Sequence, residues 1–414
     1  MSLIKNSTWN IVGYIIPAII TIPALGILAR YLGAERFGIF TLAISIVGYA
    51  SIFDVGLTRA VIREVSCFRD DKREKLNIIS SATVIVAIIS ILAAILIAFF
   101  SKDIALLLKI DNELSNDVIG ALKILALTIP LFLITQIWLS ILEGEERFSI
   151  LNIYKTITGS LMAALPVAFI FIHNSLSYAV IGLLIGRLIA LIMAFSLCRD
   201  TIISAKLVLV KSTVIRLFSF GGWMTVSNII SPVMSYFDRF ILSHLLGASS
   251  VAFYTAPSEI VSRIGFVPGA LARAVFPRLS KTDTVLERKK NIKLVTLLML
   301  TTCLPMVLIG VTFSEGIMVA WMGPLFSGTA SNVLKILLVG FMFNSLAQIP
   351  FASIQARGNA RVTAFIHLLE LIPYLISIYY LIGMFGILGA AYAWTGRVII
   401  DFMLLYIYEI KFNS

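Results

Sequence analysis

Charge is scarce in this chain. Only 13% of its 414 residues are charged and 59% are hydrophobic, against about 25% and 45–50% in soluble domains. So few charges cannot cover a water-exposed surface, and a mean hydropathy of +0.99 makes a bilayer the main solvent. Cysteine is also rare. Cys67, Cys198 and Cys303 are too few and too scattered for a disulfide framework or a metal cage. The three histidines, His173, His244 and His367, share no ligand spacing, so no metal site is expected. Neither a GxxxxGK[ST] phosphate loop nor a G-x-S-x-G nucleophile elbow occurs. No cofactor is expected, and neither ATP-driven transport nor hydrolysis has its parts here.

What is present is a series of apolar runs. A spanning helix needs about 20 mostly apolar residues. Stretches at 9–29, 37–57, 78–100, 118–142, 150–172, 177–198, 214–236, 250–272, 294–314, 330–354, 362–383 and 386–409 meet that length. They predict an all-α polytopic membrane protein of about twelve helices. The alternating ten-residue pattern of a membrane barrel is missing. The first run is of full spanning length and lacks a small-residue cleavage site, so no cleavable signal peptide is expected.

Lysine and arginine set the orientation. With the N-terminus in the cytoplasm, inside segments hold 23 of them and outside segments hold 5. Both termini are therefore expected to be cytoplasmic. The basic loops lack interleaved aromatics, and topology accounts for them without nucleic acid. The longest outside loop, about 101–117, cannot house a catalytic domain. No enzyme is expected.

The chain also repeats itself. At an offset of 214, Leu57-Thr58-Arg59-Ala60-Val61 meets Leu271-Ala272-Arg273-Ala274-Val275, and Leu32-Gly33-Ala34 meets Leu246-Gly247-Ala248. The same offset aligns Gly144 and Arg147 with Gly358 and Arg361. Late in each half it slips to 210, and Gly186-Arg187 meets Gly396-Arg397. Six helices per half give both halves one orientation, so the repeat is parallel. The expected domains are two pseudo-symmetric six-helix bundles, 1–207 and 208–414, joined through the segment 199–213. Transporters built from such halves hold substrate between them.

These residues carry a resemblance. The stretch Arg30-Tyr31-Leu32-Gly33-Ala34-Glu35-Arg36-Phe37-Gly38 is similar to the first outside loop of polysaccharide-unit flippases. So is Asp54-Val55-Gly56-Leu57-Thr58-Arg59 with Arg63. Asp238-Arg239, Gly247, Tyr254-Thr255-Ala256-Pro257 and the Gly144–Arg147 and Gly358–Arg361 loops fit the same pattern. The whole chain resembles an O-antigen flippase of the Wzx type, in the multidrug/oligosaccharidyl-lipid/polysaccharide exporter superfamily. The resemblance implies a substrate of undecaprenyl-pyrophosphate-linked oligosaccharide. It implies movement from the cytoplasmic to the periplasmic leaflet of a bacterial inner membrane. It also implies a cationic cavity between two lobes, and contacts with other O-antigen assembly proteins. Two other readings stay open: a cation-coupled multidrug exporter of the same superfamily, and a polytopic membrane glycosyltransferase or polymerase.

A charge at the bilayer centre costs about 2.5–3.5 kcal/mol on insertion scales, so intramembrane ions are functional candidates. An arginine fork can hold phosphate oxygens through paired hydrogen bonds. Arg187 lies mid-span with only Leu183, Leu184, Ala190 and Leu191 at helical spacing. It and Arg263 are the expected cavity cations. Arg30 at the outer end, and Arg59 and Arg273 at the inner ends, are expected to receive substrate in the outward and inward states. Each has a plainer reading as a topological or snorkelling anchor. Without a nucleotide site, coupling to H+ or Na+ needs a carboxylate that titrates. Glu259, Asp54 and Asp238 are the candidates, with Asp54 equally suited to capping a helix. Arg397 and Asp401, four residues apart, are expected to form a structural ion pair.

Overall fold

Apolar helices in a bilayer have no hydrophobic drive to associate, so packing and hydrogen bonds hold them together. The computed structural model describes residues 3–49, 53–54, 56–110, 114–272, 285–357 and 359–413. Side chains within these ranges are described except at 3–15, 220–233, 235, 285–286, 288–289, 356, 360 and 412–413. Among the described residues the structure is helical and contains no strand. Nine helices there are long and apolar enough to cross a membrane. They leave wide apolar faces uncovered: Ile88, Phe99, Leu106 and Met384 are all more than half exposed. Such surfaces suit lipid, not water.

By its internal contacts the chain divides into two units, 1–237 and 238–414. The first unit begins with α1 (Leu3–Tyr49), α2 (Leu57–Cys67), α3 (Lys72–Phe99) and α4 (Ser101–Leu107). It continues through α5 (Ser115–Gly144), α6 (Phe148–Ile172) and α7 (Leu176–Ser204) into α8 (Lys211–Leu246). The end of α8 belongs to the second unit. That unit adds α9 (Ala248–Ile264), α10 (Val285–Thr312), α11 (Ser314–Met322), α12 (Thr329–Ala356), α13 (Ala360–Phe385) and α14 (Ile387–Asn413).

The repeat is visible element by element. Adding 214 to the bounds of α3, α4, α5 and α6 lands within about two residues of α10, α11, α12 and α13; adding 210 to α7 reaches α14. Packing partners repeat as well. In the first unit α5 lies along α7 and α3, and α6 along α7. In the second, α12 lies along α14 and α10, and α13 along α14. Two of the expected spans, 9–29 and 37–57, fall largely in α1, on either side of Gly33. There the backbone turns at φ 76°, ψ 170°, a region open essentially to glycine alone. Its repeat mate Gly247 stands at φ 86°, ψ 165° before α9. The same bend therefore recurs 214 residues on, and each glycine separates the helices on its two sides.

Local capping shapes the starts of α2 and α3. Asp71 accepts from the backbone N–H groups of Arg73 and Glu74, both at 3.0 Å, and starts α3. Buried Asp54 accepts from the Thr58 N–H at 3.1 Å and its hydroxyl at 2.9 Å, ordering the entry to α2. The segment joining α7 to α8 turns through left-handed Lys206 and Leu207. Ser80 then donates to the Val208 carbonyl at 2.7 Å, and Val210 N–H donates to Ser81 at 3.1 Å. Those bonds fasten the connection to α3.

Candidate functional site

The first unit carries one charge deep in an apolar helix. Arg187, midway along α7, sets its guanidinium 4.4 Å from the centre of the Phe132 ring on α5. Tyr154 of α6 lies close by and donates its hydroxyl to the Ala190 carbonyl at 3.1 Å. No ion pair reaches Arg187 among the described residues. An aromatic face attracts a cation without cancelling its charge, so Arg187 remains able to meet an anion. Arg30 and Arg59 are exposed, near the kink of α1 and on the first turn of α2. Arg273 lies outside the described residues. Asp54, a coupling candidate, is engaged as the Thr58 cap.

One end of the same unit is fastened by ion pairs between residues far apart in sequence. Glu64 of α2 is 2% exposed. Arg216 of α8 meets it at 2.5 Å and also reaches Glu74 of α3 at 2.9 Å, while lying over the Phe68 ring at 4.6 Å. Lys75 pairs with Glu145 at 2.8 Å, and Arg69 donates to the Glu145 carbonyl at 2.8 Å. The Gly144–Arg147 motif sits in this clamp for a steric reason. A Cβ on Gly144 would stand 2.9 Å from Val65 and from the Ile62 carbonyl.

The second unit gathers charges from several helices. Asp238 of α8 is 5% exposed and accepts from the Tyr254 hydroxyl of α9 at 2.6 Å. Its neighbour Arg239, 7% exposed, reaches Glu259 at 3.2 Å. Arg263 meets the other oxygen of Glu259 at 3.6 Å. Glu259 therefore bridges two arginines, and both coupling candidates here are held in networks. Farther along, Arg397 of α14 lies 5.5 Å from the centre of the Tyr374 ring of α13. The repeat-related Arg187 and Arg397 thus each rest on an aromatic ring.

One expected pairing is replaced by another. Asp401 lies 3.4 Å from His367 Nε2, and no Arg397–Asp401 ion pair forms among the described residues. The helical spacing permits that pair, but His367 of the neighbouring helix is nearer. Glu370 of α13 is 6% exposed, and neither of its carboxylate oxygens receives a hydrogen bond from a described donor. Sequence reasoning passed over Glu370, although an acid eight residues into the 362–383 run is the same signal that marked Arg187. Buried Arg239 stands in the Asp238-Arg239 motif, but its ion pair with Glu259 joins two helices and no spacing rule marks it. The Glu64–Arg216 and Glu409–Arg357 pairs join residues far apart in sequence, and no local pattern announces them. No group of three or more His, Cys, Asp and Glu side chains suited to a metal ion occurs among the described residues.

Arg187 in the first unit can attract an anion, while in the second unit Glu259 is bound to two arginines and Asp238 to Tyr254. Comparison with known proteins places the chain further. Residues 3–283 match the model of a family described as polysaccharide biosynthesis protein. A Shigella flexneri protein provisionally named an O-antigen transporter is 48% identical over 98% of this chain and 97% of its own. Among solved structures, the lipid II flippase MurJ in an inward closed conformation is 18% identical with a TM-score of 0.79, over 99% of this chain and 87% of that one. An inward-facing multidrug resistance transporter of the MATE family and MOP superfamily is 15% identical with a TM-score of 0.78, over 98% of both chains. At such identities the two structures speak to the fold alone.

Proposed function

We propose a function from one premise: the chain belongs to the polysaccharide biosynthesis protein family. It is a polytopic membrane transporter that flips lipid-linked oligosaccharides, not an enzyme. The observation that carries this reading is 48% identity, over nearly the full length of both chains, to the protein named for O-antigen transport. The finer assignment is an undecaprenyl-pyrophosphate-linked O-unit, carried from the cytoplasmic to the periplasmic leaflet of a bacterial inner membrane. A diphosphate ester needs a cation that keeps its charge in an apolar setting, and Arg187 over Phe132 supplies one. Arg263, Arg30, Arg59 and Arg273 are the further substrate contacts we assign. The two lobes, 1–207 and 208–414, follow the internal repeat, and the paired bends at Gly33 and Gly247 support that division. Alternating access between the lobes then carries the head group across.

Complementation tests the reading. A flippase-null bacterium that makes a matching O-unit receives the wild type, Arg187→Ala, Arg263→Ala or Arg263→Lys at equal membrane levels. Surface polysaccharide restored by the wild type and lost in both alanine variants is the expected result. Retention by Arg263→Lys shows that charge suffices beside Glu259. A wild type that fails with every lipid-linked oligosaccharide yet confers dye or drug resistance overturns the flippase reading.

A further inference from the structure

The segment between α7 and α8 combines features that neither water nor a bilayer core accommodates alone. Leu207, Val208 and Leu209 follow one another and are 64%, 54% and 51% exposed. Ile203 before them and Ile215 after them are also more than half exposed. The segment is nonetheless no spanning helix. Lys206 and Leu207 are left-handed, at φ 55° and 42°, and residues 208–210 are not helical. Aliphatic side chains lose free energy in water. Lysines and irregular backbone are costly in the hydrocarbon core. The boundary between headgroups and acyl chains accepts both.

The backbone is prepared for that boundary, where a polar group that leaves water needs a partner. Ser80 of α3 donates to the Val208 carbonyl at 2.7 Å and accepts from the Val208 N–H. Ser81 accepts from the Val210 N–H at 3.1 Å, and the Val210 carbonyl accepts from the Val214 N–H at 2.9 Å. Both serines are buried. The connection is thus pinned to α3 while its aliphatic side chains stay exposed. Its place along the chain fits too. α7 is long and apolar enough to cross a membrane and ends at Ser204, so the segment begins where a span stops. Charge selects the kind of lipid. Residues 199–213 hold Arg199, Lys206 and Lys211 against Asp200 alone, and all four are exposed. The next cation, Arg216, is already engaged by Glu64 and Glu74. A lysine close to an anionic leaflet gains about fivefold in partitioning.

We propose that residues 203–211 form a membrane-surface anchor specific for anionic phospholipid. Leu207, Val208 and Leu209 enter the acyl boundary of the leaflet on their own side, and Lys206 and Lys211 bind its anionic headgroups. The connection between the two repeated halves is thereby held in the plane of the bilayer. This surface goes beyond the flippase reading and does not depend on what the chain carries.

The test uses the full chain with Cys67→Ser, since Cys198 and Cys303 are buried. An environment-sensitive fluorophore is attached at Leu209→Cys, and the protein is placed in nanodiscs. One set holds phosphatidylcholine alone, and the other adds phosphatidylglycerol. Lipids spin-labelled high on the acyl chain should quench the fluorophore more than aqueous acrylamide does. That lipid quenching should rise with phosphatidylglycerol. Lys206→Gln combined with Lys211→Gln should return it to the phosphatidylcholine level. Quenching mainly by acrylamide places the segment in water and overturns the anchor. Protection from both quenchers shows a protein surface over the segment, a second copy included, and overturns it equally. Lipid quenching that ignores both phosphatidylglycerol and the two lysines overturns the assignment to anionic headgroups. If Leu209→Cys does not fold, the fluorophore at Leu207→Cys gives the same readout.

Discussion

At the scale of single residues, the chemistry depends on which charges have partners. Arg187 keeps its charge over an aromatic ring, with no carboxylate to neutralise it among the described residues. Cation–π contacts are worth about 0.5–2 kcal/mol, more when desolvated. Phe132→Leu is therefore expected to lower the melting temperature of the purified protein by a few degrees while flipping continues at a reduced rate. Arg187→Lys, which keeps charge but loses the planar fork, should retain only a fraction of wild-type surface polysaccharide. A lysine variant equal to wild type would reduce Arg187 to a point charge. Glu259 poses a different question, since Arg239 and Arg263 both hold it. Glu259→Gln leaves two arginines with no charged partner on α9. The expected outcome is a loss of thermal stability larger than for Arg263→Ala, measured in the same detergent. Equal losses would show that Arg239 draws no support from Glu259. Arg187 was legible in the sequence because an isolated charge in an apolar run needs no partner to be noticed. Glu259 was noticed too, but its bond to Arg239 spans 20 residues and two helices, and spacing rules do not reach that far.

At the scale of elements, two bends and one clamp organise the helices. Gly33 and Gly247 share a backbone conformation that costs other residues about 1–3 kcal/mol. Gly33→Ala and Gly247→Ala should each destabilise the protein by that amount, and by similar amounts, in thermal unfolding of the purified chain. A Cβ at Gly33 meets nothing within 4 Å, so the cost there is conformational. A neutral Gly33→Ala would mean that α1 runs straight through. Gly144 differs, because its Cβ would strike Val65 and the Ile62 carbonyl. The clamp around Glu64 gives another test. Removing Glu64's charge leaves Arg216 with Glu74 alone, and leaving a buried charged group without its partner costs about 1–3 kcal/mol or more. Glu64→Gln should therefore melt earlier, with the difference shrinking when Arg216→Gln is added. Additive losses would show that the two side chains act independently. The glycines were readable as aligned motifs, whereas the partners of Arg216, Glu64 and Glu74, come from helices that no spacing rule brings together.

At the scale of the whole molecule, the constraint is the bilayer. Reporter fusions or cysteine labelling should place the loops holding Arg69–Lys75 and Arg357–Arg361 in the cytoplasm. Lys102 and Lys109 should lie on the far side, because basic residues are retained on the cytoplasmic face. The reverse labelling would overturn the orientation. Membrane residence, all-helical architecture and a duplicated plan were set by the chain's composition, its apolar runs and its 214-residue offset, because hydropathy and helix length are local properties. The correspondence of α3–α7 with α10–α14 follows from that duplication. Folding decided what no window of sequence contains: that Arg216 locks onto Glu64, and that Asp401 turns from Arg397 toward His367. Each of these depends on helices brought together in space. In an apolar interior a charge takes whatever partner the packing leaves within a few ångströms, regardless of its distance along the chain.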